Sequence, residues 1–178
     1  MAHAVVRTDR LFGTDNRGGL VSAEYVTVSG DTVAAAGAID NGHILKIDGL
    51  MAGEREVFKG VAVAATDVLG SIILVADPEV MYDERMKNFD EFENASGEII
   101  RGYILHVGDI FSVTAEALAN ASPAVGQLIE LAAGTKLNNV ASATEGSTVI
   151  GEIIEKEVGQ RYTYYVIQIK TPYTATAD

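Results

Sequence analysis

Five times along this chain a glycine is followed by one polar residue and two aliphatic residues: GHILK at 42–46, GSIIL at 70–74, GEIIR at 97–101, GQLIE at 126–130 and GEIIE at 151–155. The spacing is near-regular, yet the segments between the glycines do not resemble one another. One holds a charged amphipathic stretch and another reads NNVASATEG. A stacked solenoid repeats its connecting segments as well as its strands, so the pattern reads as turn punctuation in a single β domain. Glycine supplies turn conformations that a side chain disfavours, and the aliphatic pair opens a buried strand.

The rest of the chain fits that frame. Val21, Ala23 and Tyr25 alternate with Ser22 and Glu24, the period of a half-buried strand. Short β-branched runs bounded by Gly, Asp or Asn follow at 43–47, 56–65, 71–76, 99–106 and 109–113, and further runs lie in QLIEL, TKLNNV, STVIGEIIEK and RYTYYVIQI. Two helices are expected. In 78–92, Asp77 stands as cap, Pro78 at the first turn, and Tyr82, Met86 and Phe89 form one apolar stripe. A shorter helix is expected near 115–120, capped by Thr114. The expected fold is mainly β, a compact sandwich or barrel over residues 20–170. An extended N-terminal arm over 1–19 precedes it, and a flexible tail over 171–178 follows.

Composition narrows the function. With 178 residues the chain can bury roughly 70% of its unfolded surface and needs no staple. It has no cysteine, which removes disulfides, thiol nucleophiles and zinc-thiolate sites. Thirteen basic against twenty-five acidic residues give a net charge of −12, so nucleic acid is not an expected partner. No apolar run reaches the ~18–20 residues of a membrane span, and MAHAVVRTDR carries no apolar signal core, so neither membrane nor secretion signal is expected.

Candidate sites are few. Asp77, Glu79, Asp83, Glu84, Asp90, Glu91 and Glu93 concentrate carboxylates, but they lack the glycine-containing spacing of a calcium loop and read as a solvated helix face. His3, His43 and His106 show no i, i+4 pairing for a metal. His106-Val107-Gly108-Asp109 offers a His–Asp hydrogen bond but also reads as an ordinary turn. Neither a nucleophile elbow nor a phosphate loop is written in the chain. Tyr162, Tyr164 and Tyr165 alternate along a strand, as at a core or interface. No catalytic residue, cofactor or metal is expected.

The succession DPEVMYDERMKNFDEF, GEIIRGYILHVGDIFSVTAEAL, PAVGQLIELAAGTKL, STVIGEIIEKE and RYTYYVIQI, with the opening VRTDRLFGTDNRGGLVSAEYV, resembles the head decoration or cement proteins of tailed bacteriophages. The resemblance spans roughly residues 5–170 and rests on the order of phrases rather than on a catalytic signature. It implies a virion protein on the outer face of the capsid, made in the host cytoplasm, that binds the major capsid protein and reinforces contacts between its subunits. Trimers and monomers both occur in such proteins, so a homotrimer is one arrangement it allows. No catalytic residue is transferred. Within that reading Arg7, Arg10, Leu11, Phe12 and Arg17 of the arm are the expected capsid contacts, the arginines meeting carboxylates and Phe12 filling an apolar pocket. Two alternatives stay open: another virion component such as a tail-tube protein, and a small β-barrel enzyme or ligand-binding protein.

Overall fold

The computed structural model describes residues 2–7, 19–79 and 89–176. Its strands are β1 (Val6–Arg7), β2 (Leu20–Ser29), β3 (Thr32–Ala35), β4 (Ile44–Leu50), β5 (Val57–Val61) and β6 (Ile72–Val75). They continue as β7 (Ile99–Ile104), β8 (Ile110–Val113), β9 (Leu128–Glu130), β10 (Asn138–Val140), β11 (Thr148–Val158) and β12 (Thr163–Thr174). One sheet runs β1-β8-β12-β11-β9-β10, antiparallel throughout. The other runs β3-β2-β5-β4-β6-β7, and β2 pairs again with β7. That second pairing closes β2, β5, β4, β6 and β7 into a five-stranded barrel, with β2–β5 its one parallel pair. The mainly β expectation holds, with one sheet closed into a barrel and the other open.

Strand alternation explains why the aliphatic pairs had to be pairs. Successive side chains of a strand point to opposite faces. In β6, Ile72 and Leu74 join the large core shared with the antiparallel sheet, while Ile73 and Val75 fill the barrel. In β4, Ile44 and Leu45 divide the same way. A strand buried on both faces reads as a continuous apolar run. The barrel interior is narrow, and glycines make room in it. A Cβ on Gly102 would lie 2.6 Å from Ile73 Cδ1, and one on Gly60 would lie 2.8 Å from Leu45 Cδ1.

The turn reading of the glycines holds at three of the five positions. Gly97 and Gly126 adopt φ of +82° and +88°, and each closes the same four-residue turn. In the first, Glu98 N–H donates to the Ala95 carbonyl at 3.2 Å while the Glu98 carboxylate accepts Ala95 N–H at 2.9 Å. Gln127 does the same to Ala124, at 3.2 and 3.1 Å. At these two positions the polar residue after the glycine is the latch of the turn. Gly42 is also left-handed, whereas Gly70 lies in a 3₁₀ turn and Gly151 lies within β11. At Gly151 any Cβ would collide with the Gln168 carbonyl of β12, so a close approach, not a turn, selects glycine there.

The helix expectations are corrected. No α-helix occurs among the described residues, which hold only 3₁₀ turns at Leu69–Ser71, Phe89–Glu91 and Ala115–Ala117. Most of the expected 78–92 helix, residues 80–88, lies outside the described residues. Its expected cap is engaged elsewhere: Asp77 Oδ1 accepts the Arg101 N–H of β7 at 2.8 Å. The 115–120 helix shrinks to one turn because Thr114 Oγ1 accepts Val5 N–H at 3.1 Å instead of capping it. Parts of the expected arm and tail belong to the antiparallel sheet. Ala4, Val5 and Val6 are buried, and β1 pairs with β8. At the other end β12 runs on through Thr174, opposite Thr148, and Ala175 is buried.

Candidate functional site

The histidine sites resolve into structure. His106 N–H donates to Asp109 Oδ2 at 2.9 Å and Asp109 N–H returns to the His106 carbonyl at 3.1 Å, the same latched turn as at Glu98. The His106 ring stands 3.9 Å from that carboxylate. His43 is buried beside Thr135, whose Oγ1 lies 3.2 Å from Nδ1. Burial pushes its pKa down to about 4; the Asp40 charge opposes this and the Lys136 charge assists it. The ring is therefore neutral at neutral pH.

The tyrosines stack on cations. The Arg7 guanidinium lies 4.9 Å from the Tyr164 ring, Arg161 5.5 Å from Tyr162, and the Lys156 ammonium 5.6 Å from Tyr165. Arg7 also binds Glu157 Oε2 at 2.7 Å, so it secures β1 to the sheet. Of the residues expected to contact a capsid, Arg7 is thus an internal clasp. Arg10, Leu11, Phe12 and Arg17 lie outside the described residues.

Two features that sequence reasoning did not single out remain on the surface. The first is the hairpin of β2 and β3. From Thr27 to Ala35 every residue is exposed, so neither face of this segment is covered. Val28 stands directly opposite Val33, about 40% exposed on each side. The Ala36 N–H donates to the Tyr25 carbonyl at 3.0 Å, which fixes the phase of the ladder. Antiparallel pairs alternate between bonded and non-bonded, so the N–H and C=O groups of Val33 and Ala35 point away from β2, to the open edge. Beside the hairpin root lies a cleft of about 330 Å³ bordered by Tyr25, Val26, Val28, Val61 and Ala62. The alternation of Val28, Thr32 and Val33 with a Gly-Asp turn was the available signal, and it marks a strand without saying whether anything covers it.

The second is a meeting of three segments. His3 Nδ1 lies 2.7 Å from Asp40 Oδ1 and 3.8 Å from Glu93 Oε2. These residues are far apart in sequence, and no spacing rule connects them. Comparison with known protein families, with curated proteins and with solved structures finds no match to this chain.

Proposed function

We propose that this chain is a structural binding protein, a head decoration protein of a tailed bacteriophage, and that the β2–β3 hairpin is its main contact with the major capsid protein. The observation that carries the reading is the hairpin's exposure on both faces. A two-stranded ribbon is marginal alone in water, and protective edge strands carry charge, above all lysine. This one carries only Asp31 between Thr27 and Ala35, in a chain of net charge −12. A low-charge, β-branched edge suits addition to a partner's sheet, where main-chain hydrogen bonds give affinity. The sequence resemblance supplies the partner, and the acidic balance suits a protein that stays off packaged DNA. Arg10, Leu11, Phe12 and Arg17 are a proposed second contact.

The test is co-sedimentation with expanded heads and unexpanded procapsids stripped of this protein. Saturation on expanded heads at a fixed ratio to the capsid subunit supports decoration. Failure to bind either shell rejects it, and formation of tubes by the purified protein assigns it to the tail instead.

A further inference from the structure

We propose that His3, Asp40 and Glu93 bind one divalent transition-metal ion that clips the N-terminal strand to the barrel. The three side chains come from the stretch leading into β1, the loop between β3 and β4, and the residues after the Phe89–Glu91 turn. The backbone sets them together. Ile39 and Asn94 exchange two hydrogen bonds of 2.9 Å, placing Asp40 opposite Glu93. His3 N–H donates to the Asp90 carbonyl at 2.9 Å, which holds the imidazole against that pair.

One ligand atom from each residue lies within 4.8 Å of the other two. Around a tetrahedral zinc ion, with bonds of about 2.0–2.1 Å, ligand atoms stand about 3.4 Å apart, so side-chain shifts of about 1 Å complete the site. The Glu93 side chain is half exposed and free to make that shift. Asp40 is already oriented, because its Oδ2 accepts Ala4 N–H at 3.0 Å and leaves Oδ1 toward the imidazole. Such outer contacts fix a ligand before the ion arrives.

Without an ion, His3 Nδ1–H donates to the Asp40 carboxylate. With one, Nδ1 becomes the ligand and the ring proton resides on Nε2, any proton on Nδ1 being released as the ion binds. A cleft of about 210 Å³, bordered by His3, Asp90, Glu116, Arg161 and Tyr162, adjoins the imidazole. Arg161 is turned toward Asp90, 3.7 Å away, and Tyr162 donates to Asp90 Oδ1 at 2.8 Å. One imidazole and two carboxylates without a thiolate suit zinc and its first-row neighbours, and the pair of carboxylates makes the pocket a net anion.

The experiment uses the full chain without an affinity tag, stripped by a chelator. Zn²⁺ is titrated by calorimetry, and Co²⁺ by its visible absorption. One ion per chain is expected, with at least tenfold weaker binding in Asp40→Asn and in Glu93→Gln. Glu93→Gln should keep the metal-free melting curve of the parent, since among the described residues the Glu93 carboxylate makes only the 3.8 Å contact with His3. Acetylating the N-terminus should leave affinity intact. The proposal fails if Zn²⁺ does not saturate by about 1 mM, if both substitutions bind as the parent does, or if acetylation alone abolishes binding.

Discussion

Ser147 Oγ donates to Glu130 Oε2 at 2.7 Å, joining the end of β9 to the turn that enters β11. Thr144 N–H reaches the same oxygen at 2.8 Å, and Thr144 Oγ1 and Asn138 Nδ2 reach Oε1 at 2.7 and 2.8 Å. Burial alone pushes this carboxyl up. The hydrogen bonds from Thr144, Ser147 and Asn138 outweigh it, so its pKa lies below the ordinary value of 4.5. A depressed acid contributes stability above its unfolded pKa and loses it as pH falls through the folded one. Glu130→Gln turns one acceptor into a donor facing donors, and should cost about 3 kcal/mol at neutral pH. Urea titration measures it, and the variant should also lose part of the parent's acid sensitivity below about pH 4.5.

His43 acts in a different pH window. Its folded pKa is about 4 against an ordinary 6.5. Between those values the unfolded chain takes up a proton that the folded chain refuses, so stability falls as pH drops from 6.5 toward 4. The expected loss by pH 5 is about 2 kcal/mol relative to pH 7.5. His43→Gln should flatten that slope in denaturation curves collected at half-unit pH steps. A slope unchanged in the variant would assign it to another group.

Inside the barrel, Gly102 and Ile73 form a matched pair. Gly102→Ala should destabilise by about 2 kcal/mol through overpacking, and Ile73→Val by about 1 kcal/mol through a lost methyl. Because Ile73 Cδ1 is the atom the new methyl would strike, the double variant should cost less than the sum of the two. Additive losses would show that the barrel relaxes elsewhere.

At the hairpin, Val33→Lys places a charge on the exposed edge. It should change folding stability by less than about 0.5 kcal/mol and weaken binding to expanded heads at least tenfold. Co-sedimentation and thermal melting separate these effects. A variant that melts like the parent and binds like it would remove the hairpin from the proposed contact.

The strands were readable in the sequence because burial on one or both faces leaves a local signature, as in Ile72–Val75 and Ile99–Ile104. The capping residues misled. Asp77 and Thr114 precede helix-like stretches, but their oxygens accept Arg101 and Val5 N–H groups from segments distant in sequence. An N-cap and a long-range acceptor are the same residue types, and only tertiary contacts separate them. Arg7 reads as an arm residue in the sequence because its partners, Glu157 and Tyr164, lie some 150 positions away. The cluster of His3, Asp40 and Glu93 was illegible for the same reason. The hairpin's strands were partly visible, but nakedness is a property of the assembled surface and has no local code.

Four consecutive residues of β6 are divided between two interiors, and this removes any seam along which the molecule could come apart. Melting the barrel strips Ile72 and Leu74 from the antiparallel sheet; melting the sheet uncovers the outer side of the barrel. Heat should therefore take both in one calorimetric transition, and limited proteolysis should release no stable half. A load applied between the two sheets is carried by the strands they share, β4 and β6.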